Sequence, residues 1–143
     1  MANYEKALVR GVGETLAAES SVLSWVDPDG DEVYTAAQAG LYIGAVPSTP
    51  SRAVAMNPYT VAMHPVPIVG VQFHFAATDP DDLTEMAQAV SDVLEGRWGG
   101  MLGTVRLVAS AWQSGTSLGQ DANGREQRTE NYYLTIDRSI PNR

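Results

Sequence analysis

The chain has 143 residues, no cysteine and a formal net charge of −8 at pH 7, with a sequence pI near 4.5. That length suits a single domain spanning residues 1–143, which would bury about 68 to 70% of the surface its unfolded chain exposes. The missing thiols exclude disulfides and thiolate metal sites, and the acidic balance disfavours non-specific attraction to nucleic-acid phosphates.

In chain order, Tyr4, Leu8, Val12 and Leu16 recur every fourth residue, with Ala7, Ala17 and Ala18 beside them, and predict an amphipathic helix over Asn3 to Glu19. Gly11 and Gly13 weaken it by about 1 kcal/mol each relative to alanine. Val22, Leu23, Trp25 and Val26 form a short strand that stops at the turn cluster Asp27-Pro28-Asp29-Gly30, with Val33 and Tyr34 beginning the return. This acidic stretch is not a calcium loop, because its glycine and acids fall at the wrong positions. Leu41 to Gly44 is a strand leading into the rigid turn Pro47-Ser48-Thr49-Pro50-Ser51. Ala53 to Met56 resumes extended structure before Asn57-Pro58, and the two prolines in Thr60 to Pro67 suit an edge or a loop.

The most legible unit is Val69 to Arg97. Val69, Val71, Phe73 and Phe75 alternate with Gly70, Gln72, His74 and Ala76, the period of a strand buried on one face. Asp79 then caps a helix with Pro80 at its first turn and Asp81 and Asp82 at the positive end of its dipole. Its apolar stripe is Leu83, Met86, Ala87, Val90, Val93 and Leu94, and Gly96 ends it in the left-handed conformation. Trp98-Gly99-Gly100 is a turn, and a long strand runs from Met101 to Trp112 with Val105, Leu107, Ala109 and Ala111 on one face. Ser114 to Arg125 is a polar connection with a tight turn at Asn123-Gly124, and the last strand, Glu126 to Asp137, presents Tyr132, Leu134 and Ile136.

The expected fold class is α+β, a mainly antiparallel sheet with two helices packed on it and a long C-terminal hairpin whose outer strand offers unpaired backbone groups. No apolar run approaches the roughly 20 residues that cross a bilayer, and the N-terminus lacks a signal pattern, so a soluble, unexported protein with no membrane partner is expected.

Catalysis finds no support. Gly115-Thr116-Ser117-Leu118-Gly119 matches the G-x-S-x-G letters of serine hydrolases, but that motif needs a strand turning into a helix and a later histidine, whereas both histidines, His64 and His74, lie upstream. Those two form no recognisable metal site. Gly11-Val12-Gly13 lies inside a helix, so a dinucleotide turn is excluded. The expectation is therefore a protein that is no enzyme, with no cofactor and no metal.

Tyr42-Ile43-Gly44, Pro47, Pro50, Ala53 to Met56, the strand-helix unit, Ser117 to Arg125 and then Glu130-Asn131-Tyr132-Tyr133-Leu134 follow one another in an order that resembles the tail terminator family of long-tailed bacteriophages, also called minor capsid or tail completion proteins. The resemblance covers the chain from Leu41 onward. It implies a structural virion protein, a homo-hexamer whose ring caps the tail tube, ends its polymerisation and joins the tail to the head in the neck. It also implies two protein partners, the major tail tube protein and a head completion (stopper) protein, and assembly in the bacterial host cytoplasm. Sequence-specific nucleic-acid binding is not expected, and an acidic lumen would let the genome pass. A closed ring needs a heterologous contact. The hairpin edge would serve, as would the acidic cluster Asp27, Asp29, Asp31 and Glu32 meeting the basic Arg125, Arg128, Arg138 and Arg143 of a neighbour. Contact with a neighbour or axial partner is expected at the loops Val46 to Ser51 and Ser114 to Arg125, through Pro47, Pro50, Arg52, Ser117, Gln120, Asp121, Asn123, Arg125 and Arg128. The alternatives are another neck or head completion component, or a small ligand-binding or enzymatic α+β domain with a closed pocket.

Overall fold

The computed structural model describes residues 3–26, 38–48, 50–63 and 65–137, so the acidic cluster at 27–32, Val33, Tyr34, Thr49, His64, Arg138 and Arg143 lie outside the described residues. The elements are α1 (Asn3–Glu19), β1 (Leu23–Trp25), β2 (Ala39–Ile43), β3 (Arg52–Ala62), β4 (Ile68–Ala77), α2 (Pro80–Leu94), β5 (Met101–Leu102), β6 (Val105–Gln120) and β7 (Glu126–Asp137). The strands form one sheet in the order β1-β2-β3-β4-β7-β6-β5. The β1–β2 and β2–β3 pairs are parallel and every other pair is antiparallel. This is an α+β fold with a long C-terminal hairpin, as the alternation of residues required.

Both helices share the face of the sheet that carries Val69, Val71, Phe73, Phe75, Tyr132, Leu134 and Ile136, and together these residues make one core. The reason is the strand period, which sends every second side chain of β4 and β7 to that face. The Phe73 ring meets Tyr132 edge-on, with centroids 5.7 Å apart. α2 starts as its residues dictate: the Asp79 side chain accepts a hydrogen bond from the Asp81 N–H at 2.9 Å, Pro80 occupies the first turn, and Gly96 follows the helix at φ +71°. α1 touches β1 and β5, the two ends of the sheet order, so the sheet curls around it.

The glycines of α1 sit where the helix comes closest to its neighbours. A Cβ at Gly11 would overlap the Leu102 carbonyl, and one at Gly13 would overlap the Trp25 ring. The helix thus accepts the propensity cost in exchange for close approach.

Three expectations about strand limits are corrected. Extended structure does not break at Asn57-Pro58: β3 continues to Ala62, with Pro58 opposite Val71. β2 pairs only with Ala53 to Met56, so from Asn57 onward β3 has a free side on which the missing proline N–H costs no ladder bond. Met101-Leu102 is not the start of the long strand. It is a separate strand that turns back at Gly103, φ +62°, to pair with Val105 and Arg106. Finally, the polar stretch Ser114 to Gln120 is no connection but the distal half of β6, paired with β7 as far as Gln120–Glu126, which leaves only Asp121 to Arg125 as the turn. A register shift between Leu107 and Ala109 also changes the strand's phase. Leu107 and Ser110 are buried, whereas Ala109 and Ala111 are exposed.

Candidate functional site

The two loops expected to meet a partner meet each other. β2 and β3 are parallel neighbours, so the chain must return from the end of one to the start of the other, and the proline-stiffened stretch through Pro47 and Pro50 is that return. It arrives beside the hairpin turn. There the Asp121 carboxylate accepts the backbone N–H groups of Asn123 and Arg125, both at 2.9 Å, and Gly124 takes φ +77°. The Arg125 guanidinium donates through Nε to Asp121 at 2.8 Å and through Nη1 to the carbonyls of Pro47 at 2.8 Å and Pro50 at 3.1 Å. Asn123 adds a bond from its amide to the Ser48 carbonyl at 3.0 Å. Loop carbonyls outside any ladder need donors, and a guanidinium supplies several from one buried position.

Arg125 is 5% exposed, and its side-chain bonds lie within the subunit. The Asp121 carboxyl is held below its ordinary value, first by the Arg125 backbone N–H and then by the Arg125 side chain. Arg52 also bonds within the chain: its Nη1 lies 3.4 Å from Asp82 and 3.6 Å from Glu85, tying the start of β3 to the first turns of α2. Gln120 bonds Glu126 at 3.1 Å across the turn. Of the nine expected residues, Ser117, Gln120 and Asn123 are exposed; Arg128, the register partner of Ser117, lies on the helix-side face of the hairpin with its side chain 39% exposed.

The structure gives Trp112 and Glu130, which the sequence assigned no site role, a common setting with Arg128. Between α2 and the hairpin lie two open clefts of about 410 and 290 Å³, whose shared walls are Trp112, Arg128 and Glu130. The indole N–H of Trp112 and Nη2 of Arg128 both donate to Oε1 of Glu130, at 3.2 and 3.3 Å, while Oε2 of this buried carboxylate has no partner. The signal was present, because Glu130 alternates in step with Tyr132, Leu134 and Ile136 and so had to face inward. Large apolar side chains also lie exposed: Trp98, Met101 and Val108 beside β5, Tyr59, Val61, Met63 and Val66 around the β3–β4 connection, and Trp112 and Leu118 along β6. The G-x-S-x-G letters fall within β6, where Ser117 is exposed in an extended strand and no elbow forms. His74 Nε2 lies 2.9 Å from the Gln127 side chain. Among the described residues no three His, Asp or Glu side chains converge as a metal site, and no helix is long and apolar enough to cross a membrane.

What the fold defines is a curled seven-stranded sheet with two helices on one face and long, exposed strand and loop surfaces. The same architecture occurs in a chain of the solved structure of the virion of a native gene transfer agent (GTA) particle, to which this chain is similar at a TM-score of 0.58 and 13% identity over 92% of each chain. At that identity the likeness is one of fold. No protein-family model and no curated protein matches the sequence.

Proposed function

We propose that the chain is a structural component of a phage-like virion, and within it the ring-forming subunit that ends a tail tube and joins the tail to the head connector. The observation that carries this reading is the fold held in common, from end to end, with a chain of the gene transfer agent virion. The resemblance of the Leu41-to-Leu134 motifs to tail terminators narrows it from virion component to tail end.

The surface supports a heterologous ring contact. One exposed apolar group, around Trp98, lies at the β5 edge of the sheet, and another, around Tyr59 and Met63, lies two strands beyond β7, where β3 loses its neighbour. Two unlike patches at different places on the sheet are what head-to-tail closure uses, and exposed apolar patches mark such interfaces. The role is mechanical and not catalytic. The major tail tube protein and the head completion protein are its axial partners, and the acidic chain leaves passing DNA unbound.

Size-exclusion chromatography with light scattering, followed by electron microscopy, tests it: annular hexamers are expected, and Trp98→Asp should yield folded monomers. A wild-type protein that stays monomeric at every concentration, together with tails of normal length after deletion of the gene, would remove the reading.

A further inference from the structure

The outer edge of β6 is occupied as far as Trp112. Gly100 and Arg97 accept from Leu107 and Ser110, Gly99 and Gly96 donate to Val108 and Ser110, and the Trp112 N–H goes to the Glu95 carboxylate at 2.8 Å. From Gln113 to Gln120, β7 is the only bonded neighbour among the described residues, and every residue from Ala111 to Gln120 is exposed. Proteins blunt such edges with lysine, proline or inward charges. Between Leu107 and Gln120 this strand has none of them. Its three register shifts, at Leu107/Ala109, Trp112/Ser114 and Ser117/Gly119, separate two runs of four paired residues on the β7 side, Ala109 to Trp112 and Ser114 to Ser117.

Beside this edge stands an unbalanced group. Gly115 is the β6 partner of Glu130, and a Cβ at Gly115 would overlap the Glu130 carboxylate, so that carboxylate lies across the glycine, directed from β7 toward the free edge. Its Oε1 takes both available donors, and Oε2 is buried with none. The groups around it are Arg128, the Trp112 indole, the Thr129 carbonyl and, from α2, Leu83. A buried carboxylate oxygen without a donor carries a large desolvation cost that an incoming cation removes.

We infer that the free edge of β6 from Gln113 to Gln120 is a strand-addition site for an extended segment of another polypeptide, with a lysine or arginine opposite Gly115 whose charged group donates to Oε2 of Glu130. A strand added there would lie about 4.8 Å beyond β6. A side chain crossing the glycine covers that distance, and the Trp112 ring forms one wall for it. Strand addition supplies main-chain bonds in any sequence, and the cation supplies the selectivity. Among the described residues, the one-sided strand stretches of a second copy, Leu23–Trp25, Asn57–Ala62, Met101–Leu102 and the same Gln113–Gln120 edge, contain no lysine or arginine and do not meet the requirement. The inference stands or falls separately from ring formation, since its test is read on one subunit.

The test is selection of peptides from a random dodecamer library displayed on yeast, using the full-length protein, followed by calorimetric titration of the selected peptides. Selected sequences should share a lysine or arginine at one fixed place. Replacing it by norleucine, or using the Glu130→Gln protein, should weaken binding by about tenfold, and backbone amides of Gln113 to Leu118 should gain protection from hydrogen exchange. The norleucine peptide carries the conclusion even if Glu130→Gln disturbs the hairpin. Selection of no peptide, sequences without a fixed cation, equal binding of the norleucine peptide, or protection elsewhere would overturn the site. Protection of the same amides on concentrating the protein alone would overturn the assigned partner in favour of self-pairing.

Discussion

Replacing Arg125 by alanine tests whether the loop junction belongs to the fold or to an interface. The substitution removes the donor to the Pro47 and Pro50 carbonyls, at 2.8 and 3.1 Å, and the side-chain contact to Asp121 at 2.8 Å. Nη1 serves both carbonyls, so they count as one bond from a charged donor, and the loss is about 1.5 to 3 kcal/mol. In a domain with a net stability of roughly 5 to 15 kcal/mol that is a substantial share, and it corresponds to a fall in Tm of about 5 to 12 °C. Urea denaturation read by circular dichroism measures it, with Arg125→Lys as comparator. Lysine keeps a charge but cannot reach the carboxylate and both carbonyls as a planar fork does, so it should fall between wild type and alanine. Both variants should shift the midpoint without changing the slope. If Arg125→Ala left the midpoint within about 0.5 kcal/mol of wild type while ring formation was lost, the residue would be an interface group and the argument from its burial would fail.

Gly11→Ala should destabilise the protein by about 1 to 3 kcal/mol, although alanine is the better helix former by about 1 kcal/mol, because the new Cβ meets the Leu102 carbonyl; a stabilised variant would refute the close-approach reading. Leu134→Ala, at a fully buried position of the core, should cost about 2 to 5 kcal/mol in the same denaturation assay. Acid should loosen two ties. The carboxyls of Asp121 and Glu19 are both lowered, the first by Arg125 and the second by its two 3.0 Å hydrogen bonds from Arg97. A lowered folded-state value means that the contribution is full above the unfolded value and is lost as pH falls through the folded one. Tm should therefore be flat near neutrality and decline below the ordinary values of 3.8 and 4.5, less steeply in Asp121→Asn than in wild type.

The residues that were legible in sequence are those whose environment is set by near neighbours along the chain. The α2 cap, its apolar stripe and the alternation in β4 and β7 require nothing beyond the helical and strand periods. Each of those elements appears where its residues place it. Arg125 shows the limit. A basic residue near a turn reads as exposed, and only the return loop through Pro47 and Pro50, some 75 positions earlier, makes it an internal tie. Glu130 shows a case in between, since alternation points it inward but nothing local reveals that one of its oxygens lacks a donor.

By itself the sequence determined the two helices, the two central strands, the face each buries, and an acidic chain without the residue patterns of catalysis. Tertiary structure decided that a polar, glycine-bearing stretch from Ser114 to Gln120 is strand, that Pro58 sits inside β3, that β1, β2 and β3 run parallel, and that two loops are joined through Arg125 and Asn123. The physical reason is that periodicity and capping act over a few residues, whereas pairing of a strand, the side on which it has no neighbour and the partner of a buried charge depend on segments brought together only when the sheet closes.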